Sequence, residues 1–200
     1  DDNDDDDNDD DDNDDDNEVE MSKAEDKILL KPGYRTIIAF QIASTMSFLH
    51  SMKIAYRDLC TENITIDEDL NPQITNFATS RVMPDNILCM TNMPGSLTTK
   101  FVAPEINSVE GYNQKVDVFA FSGILYELLT NKRPFYDRFH PNFEDLIRRK
   151  KRPTLPTDIS PELKDLIESC WKQDPSQRPI FANIVQQMLD KSISFPQDQD

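Results

Sequence analysis

The sequence predicts a mainly α domain carrying one small β-hairpin, set behind a disordered acidic N-terminal tract. Three observations predict it. Apolar residues recur at helical spacing in several separate segments, two short β-branched runs flank an acidic turn, and residues 1–20 are almost all Asp and Asn.

The tract carries thirteen Asp and two Glu, whose mutual repulsion, with almost no apolar group to bury, predicts disorder over residues 1–21. A calcium loop is not expected there, because the turn Gly, the closing Glu and the flanking helices are missing. A solvated acidic spacer is the plain reading, with attraction to basic proteins through bulk charge as the weaker one. From Ser22 to Lys31 the pattern predicts a short amphipathic helix, which Pro32-Gly33 ends. In "YRTIIAFQIASTMSFLHS" Ile38, Ile42, Met46 and Leu49 share one helical face, and Ser51 to Ile54 then turn the chain. The runs Ile64 to Ile66 and Gln73 to Thr75, separated by "DEDLNP", predict the hairpin. Ala78 to Val102 holds too much Ser, Thr, Pro and Asn for regular structure. Loops of that length are usually functional or disordered. Val116 to Thr130 is apolar almost all round, as a helix in the middle of a domain would be. Three further helices are expected over Asn142–Lys150, Ser160–Trp171 and Ile180–Leu189, with Pro161 in a favourable first position of its helix. The predicted domain spans 22–190, and 191–200 reads as a polar tail.

Composition bounds the function. The formal net charge is -17, yet removing the fifteen acids of residues 1–20 from the total of 38 leaves 23 acids against 21 bases. The remainder is nearly neutral, so its charge names no partner, nucleic acid included. Cys60, Cys89 and Cys170 are too few and too scattered for a disulfide framework and include no Cys-x-x-Cys pair, so a reducing, cytoplasmic setting is expected. No leader and no membrane-length apolar run is visible.

Five ordered segments carry a resemblance. "LHSMKIAYRDLCTEN" is similar to the His-Arg-Asp catalytic loop of eukaryotic protein kinases, with Tyr56 in the His place followed by Arg57, Asp58 and Asn63. "ITNFATS" stands where that family has Asp-Phe-Gly, "FVAPE" resembles the end of the activation segment, "DVFAFSGILYELLTNKRPF" the long central helix, and "CWKQDPSQRP" the late Cys-Trp, Asp-Pro, Arg-Pro signature. Together they make residues 34–190 resemble the C-terminal lobe of a protein kinase, closest to the tyrosine-kinase-like serine/threonine group.

The resemblance implies roles, residue by residue. Asp58 stands in the place of the catalytic base, Asn63 in that of a metal-binding amide and Thr98 in that of the substrate-loop threonine. Arg57 either bonds loop backbone or pairs with a phosphate on Thr91, Ser96 or Thr99. Glu105 and Arg178 are expected to form a buried ion pair, whose disruption costs roughly 3 to 5 kcal/mol. Asp117 is expected to accept backbone N–H bonds from the catalytic loop.

Other places depart from the family. Phosphoryl transfer rests on a Gly-rich loop, a strand Lys and two metal ions held by the Asp of Asp-Phe-Gly and the loop Asn. Gly33, Gly95, Gly111 and Gly123 offer no Gly-x-Gly pair, and no strand Lys precedes the helical region, so the N-terminal β lobe is expected to be absent. Asn76 replaces the metal-binding carboxylate, and two amides, Asn63 and Asn76, make a weak magnesium site. Ala78 replaces the Gly that lets this turn swing. Cys60 takes the place of the phosphate-contacting Lys of serine/threonine kinases, and Glu62 that of the corresponding Arg of tyrosine kinases. Thr65 takes that of the aliphatic residue under adenine, leaving Cys60 and Thr65 as degenerate cofactor contacts. Cys60 reads as an ordinary buried thiol rather than a reactive one.

Three readings follow. The first is a pseudokinase or truncated kinase that binds an unidentified protein partner, needs no cofactor and self-associates through its exposed face around Thr65. The second is an impaired ATP- and magnesium-dependent serine/threonine kinase whose N-terminal lobe precedes Asp1, a reading kept because the chain opens on Asp rather than Met. The third is an acidic-tail chaperone for basic proteins, lost when residues 1–20 are deleted.

Overall fold

The computed structural model describes residues 33–83, 101–106, 108, 111–135, 143–190 and 193–198. The expected helix Ser22–Lys31 and Thr91, Ser96, Thr98 and Thr99 lie outside the described residues.

Helix α1, Tyr34–Ser51, buries Ile38, Ala39, Ile42, Ala43 and Met46 along one face and leaves Phe48 exposed on the other. Leu49, on the expected apolar face, is partly buried against the core. After a turn, strand β1 covers Ile54–Ala55. Strands β2, Ile64–Ile66, and β3, Pro72–Ile74, form the antiparallel hairpin in the register Ile64 to Ile74, Thr65 to Gln73 and Ile66 to Pro72. The turn between them is held by Asp67, whose Oδ1 accepts the backbone N–H groups of Asp69 at 3.0 Å and Asn71 at 2.8 Å.

Two parts of the fold differ from the expectation. The stretch from Ala78, read as irregular, begins inside a single 3-10 turn, Phe77–Thr79, and continues into strand β4, Arg81–Val82. That strand pairs antiparallel with β1, Ile54 opposite Val82 and Ala55 opposite Arg81. Two-residue strands carry no period of their own, so only the long-range pairing defines them.

Helix α2, Lys115–Thr130, is buried on nearly every side. Gly123 sits within it because Phe101 packs close, and a Cβ there would lie 2.8 Å from the Phe101 ring. The helix stops at Asn131, left-handed at φ 54°, whose N–H donates to Glu127 O at 2.8 Å. Helices α3, Phe143–Arg148, α4, Pro161–Cys170, and α5, Phe181–Asp190, follow. Ser160 caps α4 by accepting the Leu163 N–H at 3.3 Å, with Pro161 in the first turn. Leu163, Ile167, Phe181, Ile184 and Met188 join the apolar residues of α1 and α2 in one continuous core.

The second difference is the C-terminal segment, which is more than a polar tail. Ile193 and Phe195 are buried in the core. Asp198 caps α1 from 162 positions away, its carboxylate accepting Thr36 N at 2.8 Å and Oγ1 at 2.6 Å, and Gly33 N at 2.9 Å. Gly33, left-handed at φ 87°, has no side chain to do this itself. Phe195→Ala is therefore expected to cost about 3–5 kcal/mol. Asp198→Ala is expected to cost about 1 kcal/mol. Urea titrations of the two variants check both values, and a Phe195→Ala cost below 1 kcal/mol would show that the segment is not docked in solution.

Candidate functional site

The site grows out of the junction between α1, the loop after β1 and the start of α2. Arg57 has φ 76°, a left-handed backbone that costs a non-glycine residue roughly 1–2 kcal/mol. Asp117, fully buried in the first turn of α2, holds that backbone in place. Its Oδ1 accepts Arg57 N–H at 2.7 Å and its Oδ2 accepts Tyr56 N–H at 2.8 Å. His50 Nε2 lies 2.9 Å from the same Oδ2, and the His50 ring meets Phe181 edge-on at 5.0 Å.

The side chains of the loop are then aimed by their own partners. The Arg57 guanidinium is buried, donating through Nε to the Thr79 carbonyl and through Nη1 to the Tyr112 hydroxyl at 2.7 Å. Its Nη2 has no hydrogen-bond partner among the described residues. The Tyr56 hydroxyl donates to the Thr75 carbonyl, and the Thr79 hydroxyl to Tyr56 O at 3.1 Å. These contacts tie the loop to the segment after the hairpin. Thr79, Tyr112 and His50 were not singled out in the sequence, because their partners lie 23, 55 and 67 positions away.

Asp58, Asn63 and Asn76 come together in one hydrogen-bonded chain. Asn63 Nδ2 donates to Asp58 O at 2.8 Å and to Asp58 Oδ2 at 3.0 Å. Asn76 Nδ2 donates to Asn63 Oδ1 at 3.2 Å. Asp58 and Asn63 are buried, and Asn76 sits in a left-handed turn at φ 54°. As a set of donors for a hard divalent cation the trio is poor: it holds a single carboxylate, and the Asn63 amide oxygen is already hydrogen-bonded to the neighbouring amide. These three residues alone do not fit a magnesium ion.

Cys60 is buried, and burial is the first cause that pushes its thiol up to about 12. It offers no thiolate to a ligand near neutral pH. Iodoacetamide is expected to leave Cys60 and Cys170 unmodified in the native chain and to alkylate both in urea. Labelling of Cys60 within minutes under native conditions, read by peptide mass spectrometry, would contradict this. Thr65 is exposed on β2. Glu62 faces outward to Arg133 at 2.7 Å, and Thr61 Oγ1 donates to Glu127 at 2.8 Å. Burial, first of all, raises the pKa of Glu127.

Glu105 and Arg178 meet beside this same N-terminal end of α2. Two parallel bonds join them, Nη1 to Oε1 at 2.6 Å and Nη2 to Oε2 at 2.9 Å. Arg178 also donates to the carbonyls of Lys172 at 2.8 Å and Lys115 at 2.9 Å, and its guanidinium lies 5.0 Å from the centre of the Phe119 ring.

A model of the family described as protein tyrosine and serine/threonine kinase matches residues 21–188. The chain belongs to the protein kinase family. Among its relatives is the RGS domain-containing serine/threonine-protein kinase A of Dictyostelium discoideum, 38% identical over 82% of this chain and 14% of that protein. Serine/threonine-protein kinase STY17 of Arabidopsis thaliana is 34% identical over 78% of this chain and 27% of its own length. The dual specificity protein kinase shkB of Dictyostelium discoideum is 34% identical over 78% of this chain and 24% of its own length. The chain thus spans less than a third of the length of each of these relatives. No described helix of it is long and apolar enough to cross a membrane.

Proposed function

We propose that this kinase domain acts by binding a protein partner rather than by transferring phosphate. The observation that carries the reading is the hydrogen bond from Asn76 to Asn63 at 3.2 Å, where two amides face each other at the position the family gives to a metal-binding carboxylate. The raised, buried Cys60 thiol in the place of the phosphate-contacting Lys supports it. So do Phe48, Phe77 and Val82, large apolar side chains exposed to solvent.

A second reading draws on Asp58, which stays buried and aligned by Asn63 at 3.0 Å. It is an impaired ATP-dependent serine/threonine kinase completed by an N-terminal lobe, with Asp58 as base.

A thermal-shift titration of the full chain with ATP, with and without magnesium or manganese, tests the first reading. A ligand at 100 times its Kd adds about 2.7 kcal/mol. For a chain of this size that is a rise in Tm of about 5–10 °C. The binding reading expects a change below about 1 °C with either metal. A metal-dependent rise would favour the second reading, and Asn76→Asp should then enlarge it.

A further inference from the structure

Five consecutive basic residues, Arg148 to Arg152, end α3 and begin the connection to α4. The first four are exposed. Their backbone is held in a fixed helix end rather than a fraying one: Lys150 N donates to Ile147 O at 2.9 Å and Lys151 N to Leu146 O at 2.9 Å. Lys150 is left-handed at φ 62°, a position that helix ends of this type ordinarily give to glycine.

Arg149 meets Asp145 at 2.8 Å, a surface pair one helical turn apart. Lys150 and Lys151 form no ion pair with any described residue. Arg152 turns inward and donates to the Trp171 carbonyl and to Gln173 Oε1 at 2.9 Å, meeting no carboxylate among the described residues. Burial, and after it the charge of Arg178, bring Arg152 down to about 10.

The chain concentrates its opposite charge in one place. Residues 1–20 hold fifteen acids and no base, against a net of about -2 for all the rest, which is 21 bases less 23 acids. The twelve residues from Met21 to Pro32 link this tract to α1, and even with Ser22–Lys31 helical, as their pattern predicts, they reach about 20 Å. That exceeds the radius of gyration of a domain this size, about 16 Å, so the tether permits contact with the run. It also holds the acids at an effective concentration near the millimolar range.

We propose that the acidic tract, residues 1–20, docks in cis on the basic run Arg148–Arg152 and shields it from other polyanions. The occupant follows from the charge complementarity and the tether: a nucleic acid would have to displace, from bulk solution, fifteen carboxylates already attached. The role is independent of whether the domain transfers phosphate.

Zero-length carbodiimide cross-linking of the full chain, at low salt and with peptides mapped by mass spectrometry, tests it. Cross-links from the tract should gather on Lys150 and Lys151 over the other exposed lysines among the described residues, Lys53, Lys132, Lys164 and Lys172. Cross-links spread evenly over all six would overturn the proposal. Mixing isotope-labelled and unlabelled chains distinguishes the occupant: mixed-label cross-links at the statistical ratio would mean a second copy and would overturn docking in cis. In a second measurement, deletion of residues 1–20 should raise affinity for a fluorescent heparin oligosaccharide about tenfold or more at low salt. The substitutions Lys150→Glu and Lys151→Glu should remove that gain. Equal affinity of the full and shortened chains would also overturn it.

Discussion

Asp117→Ala is expected to lower stability by about 3–5 kcal/mol, the cost of leaving two buried backbone N–H groups without an acceptor. The carboxylate is fully buried and accepts Tyr56 and Arg57 N–H at 2.8 and 2.7 Å while lying 2.9 Å from His50. It also offsets the left-handed strain at Arg57, which no local contact relieves. Asp117→Asn keeps the volume but turns an N–H donor toward one of those N–H groups, so about half of the loss should remain. Urea unfolding gives the total. Hydrogen exchange separates the mechanism from general destabilisation, because protection at Tyr56 and Arg57 should fall before that of the α2 core does. An Asp117→Asn variant within 0.5 kcal/mol of the parent, its loop amides still protected, would refute this account.

Glu105→Gln should cost about 3–5 kcal/mol, because it strands a guanidinium that has no exposure at all. Arg178→Met should also be costly, for a different reason. Glu105 retains 14% exposure and can recover some hydration, whereas the Lys172 and Lys115 carbonyls lose their donor and Phe119 loses its cation. The double variant should lose clearly less than the two single losses added, with a coupling of about 2–3 kcal/mol. Additive losses in urea titrations would mean that the bidentate geometry contributes nothing beyond its separate parts.

Both effects concern residues whose types were legible in the sequence while their contacts were legible only through the resemblance to a family. Asp117 inside an apolar run is a warning in itself, since a carboxylate there must find donors. Which donors it finds depends on bringing residues 56 and 57 against residue 117, a step no local pattern encodes. Glu105 and Arg178 were legible as a pair only through the resemblance of their segments to a family. Asp198 was not legible at all. A lone acid in a polar stretch becomes a helix cap only because Phe195 and Ile193 anchor the segment beside α1.

By itself, the sequence determined the described helices from Tyr34 onward and the hairpin, because 3.6- and 2-residue periods and turn chemistry are local properties of the chain. It also determined which residue types stand at the site: an Asn in place of a carboxylate is plain to read. Only the tertiary structure decided that Asn76 and Asn63 bond to each other, that Arg57 is locked by Tyr112 and Thr79, that β1 finds β4 and that the last residues cap the first helix. Each of these joins atoms separated by 13 or more positions. Their geometry is set by how the core packs rather than by any neighbour in the chain.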